Sequence, residues 1–288
     1  MARGLGRIIG CMLIAAALGG CSAVKLGYDN LDQIAYWWLD AYLDFNDEQS
    51  RNLREDLARL HDWHRREELP KAIALLKSME EAAAGDVTPA QACAFIPRLS
   101  ERLSAVAEQA MPAAVTLALS LGEPQLVHLK RKYARHNEDF AKDWIRISPR
   151  ERIDKRLRQF VDRAESFYGQ VEASQREALR AAIASSLFDP ERTLVERRRR
   201  QGEVLAALRR VRDGGVSLAD AQPLLRGLVD QQLESPDLGY RTYQRALWEE
   251  SCRNLATLHN TATAAQREAA VRRLGTYQRQ LRELTRGR

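Results

Sequence analysis

His61 and His64 stand three residues apart, close enough to share one face of a helix, and His128 and His136 stand eight apart. Two imidazoles on one face hold a metal ion only when another element brings further ligands. Neither His-Glu-x-x-His nor Glu-x-x-His occurs, so zinc-protease and di-iron chemistry lack their motifs. There is also no Gly-x-Ser-x-Gly elbow and no phosphate-cradling glycine loop. A cell-wall glycosidase would have to rely on a single acid such as Glu55 or Glu67. Glu55 alternates with Arg51 and Arg54, the pattern of a solvated helix face. The densest charge is basic: Arg197, Arg198, Arg199 and Arg200 lie in a stretch from Glu191 to Arg212 with eight Arg and three Glu. Such a face could bind phosphates, anionic lipids or acidic peptides. It could equally be a solvated face that pairs with the acidic leader between Leu26 and Ser50. The expectation is a protein without catalytic residues, metal or cofactor.

Composition narrows the elements that could carry these side chains. The 288 residues are 45% hydrophobic and 29% charged, too apolar for a disordered chain. Sixteen Gly and nine Pro are too few for a barrel or sandwich built on many turns. Of the 45 basic residues 38 are Arg, a skew that points to nucleotide composition of the gene rather than to nucleic-acid binding.

The N-terminus reads as an address. Arg3 and Arg7 precede an eleven-residue apolar run, Ile8 to Leu18, which is too short to span a bilayer. Leu18-Gly19-Gly20-Cys21 follows directly and resembles the lipobox of bacterial lipoproteins. The resemblance implies diacylglycerol on the Cys21 thiol, cleavage before it and acylation of the new amine. Ser22 rather than Asp after the cysteine implies the outer membrane. The mature chain, losing Arg3 and Arg7, would carry +4, face the periplasm and never meet cytosolic nucleic acid. Cys11 leaves with the signal, so Cys93 and Cys252 remain. In an oxidising compartment they read as one disulfide, with two buried free thiols as the alternative.

Beyond Cys21, apolar residues recur with helical period almost throughout, as at Leu53, Leu57 and Leu60, or Leu205, Leu208 and Val211. Helix starts are written at Asn46–Gln49, Thr88–Gln91, Ser148–Glu151, Ser217–Asp220 and Thr263–Gln266. An all-α fold of about ten helices is expected. Gln49-Ser-Arg-Asn-Leu53 is echoed by Gln175-Arg-Glu-Ala-Leu179. Arg65-Arg66, Ile73–Leu76 and Gly85–Thr88 are echoed by Arg197-Arg198, Leu205–Leu208 and Gly214–Ser217. Matching Ser148–Glu151 to Thr263–Gln266 completes the series. The expected organisation is a signal peptide (1–20), a lipidated acidic aromatic leader (21–45) and two diverged helical units, 46–170 and 171–288.

The leader holds five of the nineteen aromatic residues between Tyr36 and Phe45, and six acids with no base between Leu26 and Ser50. Helical spacing puts Leu31, Ile34, Ala35, Trp38, Leu39, Tyr42 and Phe45 on one face, expected to pack into the core. The other reading is an amphipathic element at the bilayer, with Tyr36, Trp37 and Trp38 as contacts to membrane or partner. Trp37 lies farthest off the apolar face. Tyr28, Leu31, Asp32, Ala35, Tyr36, Trp37 and Trp38 resemble the Tyr-x-x-Leu-Asp-x-x-Ala-Tyr-Trp-Trp segment of an uncharacterised family of Gram-negative helical lipoproteins. That resemblance implies a label and no activity. The expected function is a non-enzymatic outer-membrane lipoprotein, held by Cys21, whose body binds another envelope protein or the cell wall. The alternative is a chaperone-like stress protein, suggested by the partial likeness of the Thr88 and Thr263 caps to Leu-Thr-x-x-Gln repeats of small periplasmic chaperones; a cell-wall hydrolase comes third.

Overall fold

The computed structural model describes residues 20–214 and 217–286, and the side chains of these except 20–23 and Leu218. The signal sequence expected at 1–20 lies, apart from Gly20, outside the described residues. The described residues are all-α, with no strand among them. The order is α1 Gly20–Asp29, α2 Leu31–Leu43, α3 Asp47–Trp63, a π-turn π1 His64–Glu68, and α4 Leu69–Ala82. Then come α5 Pro89–Cys93, α6 Phe95–Ser120, α7 Glu123–Phe140, π2 Ala141–Ile145 and α8 Pro149–Tyr168. The chain ends with α9 Ala173–Ala184, α10 Pro190–Asp213, α11 Leu218–Leu233, α12 Leu238–Asn260 and α13 Ala264–Arg286.

Each start written in the sequence opens a helix. Asn46, Thr88 and Ser148 accept from the backbone N–H three residues on, while Gln49, Gln91 and Glu151 reach back to the cap N–H. Ser217 accepts from Asp220 N and Thr263 from Gln266 N. At the end of α2, Asp44 adopts the left-handed conformation (φ 55°) and its N–H bonds Asp40 O at 2.7 Å, which turns the chain into the Asn46 cap.

Packing follows one pattern twice. α2 packs on α3 and on α7; α8 packs on α9 and on α13. The pairs α3–α6, α4–α13 and α6–α11 have the counterparts α9–α12, α10–α7 and α12–α5. Four of these ten pairings, α4–α13, α6–α11, α7–α10 and α5–α12, join the early chain to the late chain, so the two halves share their packing. The main core gathers Met111, Val115, Leu126 and Leu129 from α6 and α7 with Leu205, Leu208, Val211 and Leu225 from α10 and α11. A second cluster joins Leu157 and Val161 of α8 to Leu179 and Ile183 of α9 and Leu258 of α12. In this pattern α8 is the counterpart of α2, so the repeat runs from Leu31 and from Pro149 rather than from 46 and 171. Thr263–Gln266 then corresponds to Gly122–Gln125, not to Ser148–Glu151.

Four glutamines mark that correspondence. Gln49 and Gln125, each third in its helix, exchange amide hydrogen bonds of 3.2 and 2.8 Å. Gln175 and Gln266 do the same at 2.9 and 3.1 Å. Each side-chain oxygen also accepts from its own cap N–H, at Asn46, Gly122, Glu172 and Thr263. Each amide nitrogen also donates to a main-chain carbonyl just ahead of the partner's helix: Ser120, Leu43, Thr261 and Gln170. The amides thus tie two helix N-termini together with their hydrogen-bonding capacity well filled.

Candidate functional site

The leader packs in part as its apolar pattern suggests: Ile34, Ala35, Leu39, Tyr42 and Phe45 are half-buried, Tyr42 against the main core, but Leu31 and Trp38 are exposed. Tyr36, expected as a contact, is buried: its ring lies under the Arg54 guanidinium, 3.5 Å from the ring centre, and its hydroxyl donates to Ser50 Oγ at 3.0 Å. Arg54 also donates to Gln33 Oε1 at 2.6 Å. These polar anchors on α3 turn the Gln33–Tyr36 side of α2 inward, and the opposite side outward. Trp38, expected in the core, is 47% exposed, and Trp37 is 62% exposed. The Trp38 ring lies tilted against Tyr42, 4.9 Å between centres, and the Tyr42 hydroxyl meets His136 Nδ1 at 2.8 Å. At 100° per residue, Leu31, Ile34, Trp37, Trp38 and Ala41 fall within about 120° of one another. This arc is the outward side of α2. It contains no charge, because Asp32 and Asp40 are half-buried beside it.

α1 is held by a second polar cluster. The Tyr28 hydroxyl and His64 Nδ1 are 2.9 Å apart, and the Tyr28 and His61 rings are 4.7 Å apart. Arg65 bonds Asp29 at 2.9 Å and lies over the Tyr28 ring. π1 widens the helix here and brings His64, Arg65 and the buried Glu68 to one place. Glu68 is bonded to Lys71 at 2.7 Å and to Arg102 of α6 at 3.3 Å. Burial pushes Tyr28 up to about 12, against the opposing pull of Arg65, and burial lowers His61 and His64 below the usual histidine value. Because the folded values are depressed, the neutral imidazoles contribute stability above the unfolded pKa of about 6.5, and it is lost as pH falls through the folded values. The thermal midpoint should therefore drop between pH 7.5 and pH 5, and the drop should shrink in His61→Gln with His64→Gln. An equal drop in the variant would place the acid sensitivity elsewhere.

The arginine run does not form an open anion-binding face. Glu196, nearly buried, accepts from Arg199 at 2.7 Å and from Arg200 at 2.7 Å. Burial opposes ionisation of Glu196, but the hydrogen bonds from Arg199 and Arg200 outweigh it and hold the carboxyl at about 2. Arg199 also pairs with Glu203, and Arg200 bonds Gln232. Arg197 covers the Phe140 ring. Arg198 alone of the four is exposed; the other three are half-buried. The partners of Arg199 and Arg200 come from their own helix and α11, not from the acidic leader.

Cys93 and Cys252 are paired, Cα atoms 5.4 Å apart, joining α5 to α12 across 159 residues. Cys21 lies in the first turn of α1, its side chain outside those described. No group of three or more metal-ligand side chains gathers among the described residues. The largely buried polar network at Gln49–Gln125 and Gln175–Gln266 has no signal in the sequence beyond the match of Gln49 with Gln175.

No curated protein and no solved structure matches the chain. A family model does match, over residues 41–241, beginning just after Trp38 and covering more than two-thirds of the sequence. The chain belongs to DUF6279, a family of unknown function.

Proposed function

We propose that this protein is a lipoprotein of the outer membrane, anchored through acyl chains on Cys21, whose helical body stands in the periplasm and docks on another envelope component without doing chemistry of its own. One observation carries the reading: Leu31, Trp37 and Trp38 on the outward arc of α2 are apolar and exposed, and they follow the lipobox cysteine by fewer than twenty residues. Large exposed aromatic side chains that neighbour one another mark a surface that something else covers. The disulfide belongs with this reading, because a Cys93–Cys252 bridge persists in an oxidising compartment. Acyl chains contribute ~0.8 kcal/mol per buried CH₂, so a multiply acylated Cys21 holds the body at the membrane stably. A photo-activatable residue at position 37 tests it. In intact cells Trp37→benzoylphenylalanine should give an adduct with an envelope component on irradiation. No adduct in cells that hold the folded, disulfide-bonded protein would overturn the docking role.

A further inference from the structure

We infer that the component covering α2 is the lipid bilayer itself: α1 and α2 lie along the membrane surface, with Leu31, Ile34, Trp37 and Trp38 in the interfacial layer. The inference rests on the anchored, docking reading above and names the occupant of its surface. Three observations favour lipid over a protein partner. The first is position. Cys21 lies in the first turn of α1, and at 1.5 Å per residue Trp37 is at most about 24 Å farther along α1 and α2. A chain tethered there meets the membrane at high effective concentration, so a small patch suffices without the roughly 800 Å² per partner of a standard protein interface.

The second is the chemistry of the arc. Two tryptophans, a leucine and an isoleucine form it, and Trp is the side chain most at home between acyl chains and head groups. An acidic helix would be repelled by anionic lipids. Here, however, Asp32 and Asp40 are turned off the arc, and Asp40 accepts from Phe45 N at 3.0 Å. The exposed Asp29 is paired with Arg65, and Lys25 on α1 is free to meet phosphate. The third is contrast. Four other large exposed apolar side chains sit among exposed charges: Leu99 and Leu103 beside Arg98 and Glu101, Val195 beside Arg198, Trp248 beside Arg245 and Glu249. A membrane would have to desolvate those charges, whereas the arc within α2 offers none and the exposed Asp44 lies past its end.

The test uses the full-length protein purified from membranes and reconstituted in phosphatidylethanolamine–phosphatidylglycerol vesicles, some carrying lipids brominated near the glycerol end of the acyl chains. Tryptophan emission should be quenched by the brominated lipid, and Trp37→Ala with Trp38→Ala should lose most of that quenching. Both side chains are largely exposed, so the variant should lose only the small part of its thermal midpoint that the Trp38–Tyr42 contact holds; Trp37→Leu with Trp38→Leu should still hold the arc at the lipid, read by the quenching that Ala41→Trp adds over Trp63, Trp144 and Trp248. No bromine quenching in a protein whose Cys21 is acylated overturns the bilayer contact. If the residue-37 adduct in cells is then a protein, the docking reading stands and the bilayer inference falls. If there is neither adduct nor quenching, both fall.

Discussion

Reduction of the Cys93–Cys252 bond should lower the thermal midpoint by roughly 10 °C. The bond closes a loop of 159 residues, and cross-linking a loop of that order removes chain entropy worth about 4–5 kcal/mol from the unfolded state. For a chain of this size each kcal/mol moves the midpoint by about 2–4 °C. There is also a local effect. α5 is a five-residue helix, too short to persist alone, and it packs chiefly against α12 and its neighbour α6. Cys252 is buried on α12 and Cys93 is partly exposed, so reductant reaches the bond from the α5 side. Differential scanning calorimetry of the protein with and without reductant measures the shift. Cys93→Ser with Cys252→Ser should melt where the reduced wild type does and be indifferent to reductant. A transition that reductant leaves unmoved would mean that the two thiols do not bridge in the protein as made.

The second large effect should come from the amide pair of α9 and α13. Gln175→Ala removes the acceptor of the Glu172 N–H, the donor to Thr261 O, and both bonds with Gln266. Each net hydrogen bond is worth about 1 kcal/mol, and the Gln266 amide left behind is almost fully buried. The expected loss is about 3–4 kcal/mol by chemical denaturation. Gln266→Ala should cost a similar amount. The double variant should cost clearly less than the two added together, because the second truncation removes an amide that the first had already stranded. Strict additivity would show that the two glutamines act independently, and a loss under 1 kcal/mol would show that the pair is not part of the folded core.

Most of the scaffold was legible because it is written locally. A capping side chain, its reciprocal partner three residues on and an apolar period of 3.6 lie within one short window, and all five starts from Asn46 to Thr263 open helices in the structure. The repeated motifs from Gln49, Arg65 and Ile73 onward find their echoes on α9 and α10, but the frame of the repeat did not. α8 has a capping box like many others, and only its packing on α9 and α13 makes it the counterpart of α2. Leader orientation failed for a related reason. Apolar spacing alone assigned Trp38 to the core, but Arg54, more than fifteen residues away on α3, takes Gln33 and Tyr36 on the other side. A cation–aromatic contact between helices has no signature in helical period. The arginine run misled by composition. Two of its four arginines, Arg199 and Arg200, are paired with Glu196 and Glu203 at helical spacing, a pairing that the residues three and four apart already allowed.

The anchored docking of α2 is tested most directly by irradiating cells that carry the photo-activatable residue at position 37, in the wild-type background and in Cys21→Ser. With Cys21 intact, the account predicts a membrane-bound, acylated protein that gives one dominant adduct. In Cys21→Ser it predicts an unacylated protein whose adduct is lost while its disulfide and folded body persist. The same adduct at the same yield from both, or none from either, would contradict it.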